Sequence, residues 1–297
     1  MTWAVARSIS RPVRERLHRL HECQSAARVL AVFEHACDLI THDDDVVALV
    51  VPQIGDGPLN IVVDGAASLF ARVNPGAPVT LEGERLWVGG LRVDLRRAAM
   101  WEPRPDWDAL RARRAAIVSR LPLLRAFCLR HAPAGSLLAL LGALPPGDAP
   151  VEAILSTAQE AAEALREGWG GDLERLQEGT AGLAGLGSGL TPAGDDFLTG
   201  AMFWTWLAHP IPDSLCRALI EVAVPRTTTL SAAFLRAAAR GECNGPWHAL
   251  LAALSEGAEA KITTVVQQVL AHGATSGADT LAGFLYFSSS SHRSGGL

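Results

Sequence analysis

The chain has 297 residues, of which 49% are hydrophobic and 19% charged, with a formal net charge of −5. That balance excludes an intrinsically disordered chain, and it argues against a general nucleic-acid binder, which carries a basic patch and a high pI. The length suits two domains or one large one with ample material for a core. Lys261 is the only lysine, so a Schiff-base or phosphate-loop lysine would have to be this residue. The five cysteines, Cys23, Cys37, Cys128, Cys216 and Cys243, form no CxxC pair, so neither a zinc ribbon nor a redox dithiol is supported. The first twenty residues lack the apolar region of a secretory signal, and the longest apolar stretch, near 197–208, is too short for a bilayer span. A soluble, cytoplasmic protein with no membrane and no nucleic-acid partner is expected.

In chain order, Ala26–Ile40 reads as a helix that leads the first module. The β-branched runs 46–51, 61–63 and 79–95 follow, punctuated by GDGP, NPGAP, EGE and GG turn signals. They predict a small antiparallel barrel or sandwich. The prolines of WEPRPDW, residues 101–107, read as a linker, after which Ala, Leu and Arg recur at helical spacing. Helices are predicted at roughly 106–131, 151–168, 196–208, 213–224, 228–240, 246–256 and 259–272, with Pro122 interrupting or kinking the first. Asp213, Thr228 and either Ser276 or Asp279 stand at expected caps. The fold class is therefore α+β: a β-rich module over 1–104, a larger α-helical domain over 105–288, and a disordered polar tail over 289–297.

Two loops carry the chemistry. GLGSGLTPAGDDFLTG, residues 185–200, combines conformationally free glycines with Thr191–Pro192, which read as a cap and a first helical position. A glycine loop ending at a helix N-terminus presents free N–H groups to an anion. It is not a Walker motif, because GK[ST] is missing, and it follows no strand with Rossmann spacing. A carboxylate, phosphate or carbamoyl group on the backbone donors of 187–194 is the remaining anion reading.

The second loop, HGATSGADTLAGFL at 272–285, repeats the pattern. Gly194-x-Asp196-x-Leu198-x-Gly200 matches Gly277-x-Asp279-x-Leu281-x-Gly283, with Thr191 or Thr275 just upstream. If the two helices pack side by side on their small residues, Asp196 and Asp279 converge on one pocket. The alternative is that each Asp caps its own helix, worth about 1 kcal/mol. Adjacent helical residues point about 100° apart, so one of Asp195 and Asp196 caps while Asp196 faces the pocket.

Between the loops, Thr228 or Thr229 caps a helix with Ser231 on its first turn. Arg226 is the best-placed cation for a carboxylate or phosphate, with a solvated surface arginine as the alternative. Glu242 is a weaker candidate, and Asn60 reads as a turn residue. The histidines show no ligand spacing, the run His42–Asp45 reads as a solvated turn, and no GxSxG elbow occurs.

LGSGLTPAGDDFLTG, TTTLSAAFLRAAARG and GATSGADTLAGFL, in that order, resemble the blocks of a bacterial family that includes the third, or H, subunit of oxamate carbamoyltransferase from anaerobic allantoin degradation. The resemblance spans roughly residues 26–288, departing from the family pattern at Ser188 and Ala193. It implies a partner-dependent enzyme, working with two other subunit types, that interconverts oxalurate plus phosphate with oxamate plus carbamoyl phosphate. The residues themselves supply the candidate site. Asp196 and Asp279 are the catalytic candidates, accepting amide N–H groups or holding magnesium. Gly187, Gly189, Thr191, Gly194, Asp195, Arg226, Thr228, Thr275, Ser276 and Gly277 are the substrate-binding candidates. A non-catalytic scaffold and a stand-alone metal-dependent hydrolase using Asp196 and Asp279 compete with that reading.

Overall fold

A computed structural model describes residues 2–23, 27–65, 67–142, 149–257 and 259–289. From residue 290 onward the expected tail lies outside the described residues. The chain divides into two compact units, residues 1–103 with 243–245, and residues 104–242 with 246–297. Within the first unit, Cys243 N–H donates to the Pro103 carbonyl and Gly245 N–H to the Asp56 carbonyl, both at 2.9 Å.

The first unit is a β-barrel. Its strands are β1 (Thr2–Ser10), β2 (Ala27–Val32), β3 (Ala36–Thr41), β4 (Val46–Val50), β5 (Asn60–Asp64), β6 (Pro78–Glu82), β7 (Arg85–Val88), β8 (Leu91–Asp94) and β9 (Ala99–Trp101). Eight strands run in the order β5-β4-β3-β2-β6-β7-β8-β1, and β1 pairs back onto β5 to close the ring. The other edge of β1 is shared, with Thr2–Val5 paired to β8 and Ser8–Ser10 to β9. A helix, α1 (Arg11–Cys23), follows β1 directly, with Pro12 in its first turn, where a missing N–H costs nothing.

Period-two alternation builds this core. Ala4, Ala6, Ile9, Val29, Leu39, Leu49, Ile61, Val63, Leu86, Val88 and Val93 are buried, and Val13 and Leu17 of α1 join them. Two expectations fail here. The helix expected over Ala26–Ile40 is the β2–β3 hairpin, paired Val29↔Leu39 with a bulge before Ala31↔Asp38. Its apolar residues run together, as at Val29–Val32, without a clear period of two, and cross-strand pairing overrides helical propensity. The barrel is also not wholly antiparallel, because β1–β8, β1–β9 and β4–β5 are parallel.

The second unit is helical: α2 (Trp107–Ala112), α3 (Arg114–Arg130), α4 (Ala149–Trp169), α5 (Leu173–Leu183), α6 (Ala193–Ala208), α7 (Pro212–Ala223), α8 (Thr229–Ala239), α9 (Gly245–Glu256), α10 (Glu259–Leu270) and α11 (Ser276–Ser288). The predicted first helix breaks at Arg113, whereas α3 continues through Pro122, which removes one ladder hydrogen bond without ending the helix. Helix α5 is unforeseen, and Asp172 caps it by accepting from Glu174 and Arg175 N–H at 3.1 Å. Thr228 caps α8 as expected, accepting from Ser231 N–H at 3.1 Å. Other caps shift by a residue or more. Ile211 rather than Asp213 occupies the cap of α7, and Pro192 and Thr275 occupy those of α6 and α11 without a side-chain cap bond.

Helices α6 and α11 are buried almost all round, as apolar helices at the centre of a bundle must be. They meet backbone to backbone at the two matched glycines. A Cβ on Gly200 would fall 1.8 Å from the Thr280 carbonyl oxygen and 2.8 Å from Phe284 N. One on Gly283 would fall 1.9 Å from the Phe197 carbonyl oxygen and 3.0 Å from Ala201 N. In the repeated motif Phe197 corresponds to Thr280 and Ala201 to Phe284, so the two contacts are reciprocal. Gly194 and Gly277 repeat the relation six residues earlier, with Cβ positions 2.0 Å from the Leu183 and 1.8 Å from the Val269 carbonyl oxygens, in the last turns of α5 and α10. The helix–loop–helix segments α5–α6 and α10–α11 thus repeat one packing arrangement.

Candidate functional site

The two loops bring Asp196 and Asp279 into electrostatic contact at equivalent positions, one turn into α6 and α11. Asp279 is fully buried, and its Oδ1 accepts from Leu137 N–H at 2.6 Å. Asp196 is half-buried. One oxygen of each, Asp196 Oδ2 and Asp279 Oδ2, is sealed from solvent and has no hydrogen-bond partner. Such orphaned acceptors are rare in folded proteins and mark a cost that folding alone does not explain.

Burial raises both carboxyls. Asp279 is pushed up to about 7, against the opposing pull of Leu137 N–H and the Thr275 side chain. Asp196 is raised well above the usual range, first by burial and then by the neighbouring charges of Asp279 and Asp195, while Ser276 and Thr191 act the other way. Two close buried carboxyls resist ionising together, so protonation of one favours the charge of the other. Helix N-termini favour the negative form only modestly, which leaves desolvation dominant here.

A layer of hydroxyls adjoins the pair. Thr191 is not the cap of α6; its Oγ1 instead lies 3.1 Å from Ser276 Oγ, joining the two loops. Thr191, Thr275 and Ser276 are all half-buried.

Asp195 has a different role from its neighbour. Its Oδ1 accepts from Gly185 N–H at 2.9 Å, and its Oδ2 from Ser231 Oγ at 2.8 Å and from Thr227 Oγ1. The carboxylate is 1% exposed and ties the glycine loop to the start of α8. Thr228 Oγ1 adds a second clasp by donating to the Leu190 carbonyl at 2.5 Å. Gly185 must be glycine, because its φ is +72° and a Cβ would meet the Arg226 carbonyl oxygen at 2.5 Å. Asp195→Ala leaves one buried and two partly buried donors unpaired, so a loss of about 3 kcal/mol is expected in urea denaturation. A loss under about 1 kcal/mol would show that the loop does not depend on this carboxylate.

The cradle of backbone donors is smaller than the sequence suggested. Gly194 N–H donates to the Leu186 carbonyl at 2.9 Å and Gly277 N–H to the His272 carbonyl at 3.0 Å. Gly187 and Gly189 hold positive φ angles of 109° and 98° around exposed Ser188. Arg226 is exposed, and its guanidinium donates to the Val222 carbonyl at 2.6 Å. Glu242 is held bidentately by Arg240 at 2.7 and 2.8 Å, and Asn60 donates to the Gly55 carbonyl in its turn. The cysteines Cys37, Cys128, Cys216 and Cys243 are buried, and burial pushes the Cys37 and Cys128 thiols up to about 12, far from a reactive thiolate. Among the described residues no three His, Cys, Asp or Glu side chains gather as metal ligands.

The partners Thr227, Ser231 and Leu137 N–H were not assigned to the site from sequence. The hydroxyl-rich run TTTLS was a signal for the first two. Leu137, in a short turn of 3-10 helix at Leu137–Leu141, gave none.

Residues 183–288 match a family model described as oxamate carbamoyltransferase subunit AllH. Residues 5–100 match the AllH family N-terminal domain. The chain belongs to the AllH family. The AllH model begins at Leu183, whose carbonyl packs on Gly194, and ends at the last residue of α11, so it contains both loops and both carboxyls. The barrel corresponds to the AllH N-terminal domain. No solved structure matches the chain. No helix among the described residues is long and apolar enough to cross a membrane.

Proposed function

We propose that this chain is one subunit of a multi-subunit carbamoyltransferase, and that its paired loops contribute a site for a small amide acid such as oxamate or oxalurate. The observation that carries this reading is the pair of orphaned carboxylate oxygens, one from each loop, inside the stretch matched by the AllH model. In the forward direction the oxamate nitrogen attacks the carbamoyl carbon of carbamoyl phosphate. The carbon–oxygen bond to phosphate breaks, and the nitrogen gives up one proton. Asp279 is a suitable proton acceptor, because a base whose pKa lies near neutrality is best matched to that transfer, and Asp196 stands beside it as the second carboxyl. Half-buried Thr191, Thr275 and Ser276 supply hydroxyls beside them. Arg226 and the glycine loop, half-buried Gly187 and exposed Gly189 included, are candidates for the phosphate or carboxylate end.

A scaffold reading accounts for the glycines, since Gly194, Gly200, Gly277 and Gly283 are all explained by helix packing. It leaves the two orphaned oxygens unexplained.

The test is transfer between carbamoyl phosphate and oxamate by the complex reconstituted with its partner subunits. Asp196→Asn and Asp279→Asn should each lower the rate about 100-fold or more while the complex still assembles. Wild-type rates in both variants would overturn the reading.

A further inference from the structure

Most candidates elsewhere in the molecule are already accounted for by the chain itself. Exposed Trp3 and half-buried Arg92 and Trp87 form a cross-strand stack on the barrel, with the Arg92 guanidinium 4.8 Å and 3.4 Å from the Trp3 and Trp87 ring centres. The surface groove beside Phe33, lined by Val32, Glu34, Ser68 and Ala71, holds no cluster of reactive groups. The carboxyl pair is different, because its two free oxygens have a defined chemistry.

We propose that the Asp196–Asp279 pair is an amide-nitrogen subsite, which receives an uncharged –NH2 group of a carboxamide or urea and rejects carboxylate, phosphate and bare divalent cations. This rests on the small-molecule site proposed above and specifies which end of the ligand that site holds. Three observations lead there.

The first is the donor and acceptor inventory. Asp279 Oδ1 is occupied by Leu137 N–H, so Asp279 Oδ2 and Asp196 Oδ2 are the free positions. They come from two helices locked together by the reciprocal contacts of Gly200 and Gly283. A planar –NH2 group carries two N–H donors and can satisfy two acceptors that face it from different sides. An anion offers only acceptors, so it can take an O–H from whichever carboxyl is protonated and leaves the other free oxygen unpaired.

The second is charge. Asp195, Asp196 and Asp279 already place three carboxyls in one region, and each raises the cost of another negative group. A carboxylate or phosphate at this point would add a like charge in a desolvated place. A carboxamide adds none. A divalent cation needs more oxygen ligands held in regular geometry, and the third carboxyl, Asp195, already has both oxygens engaged by Gly185, Thr227 and Ser231.

The third is the hydroxyl layer. Thr191 and Ser276 lie 3.1 Å apart beside Asp196, and both can turn to donate or accept. They adjust to a ligand carrying both N–H and C=O groups, as a carboxamide does.

The experiment is calorimetric titration of the full chain with oxamate, oxalate, urea, guanidinium, inorganic phosphate and magnesium chloride at neutral pH. Oxamate and oxalate differ by one –NH2 for –O⁻, so their ratio isolates the subsite. Oxamate should bind at least about tenfold more tightly than oxalate, because a site built for an N–H donor rejects the analogue that lacks it. Asp279→Asn should erase that preference, and Ser276→Ala, which leaves the buried core untouched, should reduce it. Oxalate binding within threefold of oxamate overturns the proposal. So does phosphate, guanidinium or magnesium binding more tightly than urea, or no binding of oxamate at all. The two proposals fail separately. Rate loss in the Asp variants of the complex without an oxamate preference leaves the carbamoyltransferase role and removes the subsite. An oxamate preference in a chain whose complex transfers nothing does the reverse.

Discussion

Gly200→Ala and Gly283→Ala should each destabilise the helical unit by about 4 kcal/mol or more, and the corresponding valines should prevent it from folding. Overpacking a core commonly costs about 1–3 kcal/mol because neighbouring side chains turn aside. Here nothing can turn aside. The added carbon meets the Thr280 carbonyl oxygen at 1.8 Å or the Phe197 carbonyl oxygen at 1.9 Å, and both are held in helical hydrogen bonds. Relief requires α6 and α11 to separate along the seam that also seats Trp204 against Phe284, ring centres 5.4 Å apart. A domain stable by about 5–15 kcal/mol loses a large share of that in one step. Urea denaturation followed by circular dichroism measures the loss. Gly90→Ala is the control, since its Cβ would meet nothing within 4 Å, and it should change little. A Gly200→Ala protein as stable as the Gly90→Ala protein would show that the two helices do not pack as described.

Stability should fall as pH rises from about 4 to about 7, and Asp279→Asn should remove much of that slope. The sign follows from proton binding. Asp279 titrates near 7 in the folded chain, whereas an unfolded aspartate titrates near 3.9. Between those values the folded state holds a proton that the unfolded state has released, so each rise in pH favours unfolding. Below about 4 both states are protonated and above about 7 both are ionised, so the slope vanishes at either end. The full difference is on the order of 4 kcal/mol for this one group. The Leu137 N–H and the Thr275 side chain face it, and Asp196, whose charge interacts with it, shifts in the same direction. Asp38 in the barrel, raised to about 6 by burial, adds the same sign in an overlapping range. Thermal melts of the wild type, Asp279→Asn and Asp38→Asn from pH 4 to 8 separate the contributions. An unchanged slope in Asp279→Asn would mean that its carboxyl is hydrated after all.

The β-rich and helical halves were legible because turn glycines and prolines punctuate one and Ala–Leu spacing fills the other. The β2–β3 hairpin was not. Its strands contain Ala27, Ala31 and Ala36, which favour a helix locally, and only pairing with β4 and β6 across the barrel decides the matter. Strand β1 escaped notice for a related reason, since its outward positions Trp3 and Val5 are apolar and exposed and blur the alternation. At the site, the repeated G-x-D-x-L-x-G spacing singled out Asp196 and Asp279, whose charges interact in the fold. The division of labour between Asp195 and Asp196 was legible only as one capping residue and one facing residue. What Asp195 in fact holds, Gly185 with Thr227 and Ser231, depends on where α8 starts in space, and spacing along the chain does not carry that information.

The glycine seam also sets how the carboxyls respond to charge. In many proteins two like charges relax by drifting apart as side chains repack. Asp196 and Asp279 stand on helices whose backbones touch with no side chain between them, so that route is closed. The pair answers a change in its surroundings by taking up or releasing a proton rather than by moving. A stiff scaffold of this kind turns local electrostatics directly into protonation, and the smallest residues in the chain supply the stiffness.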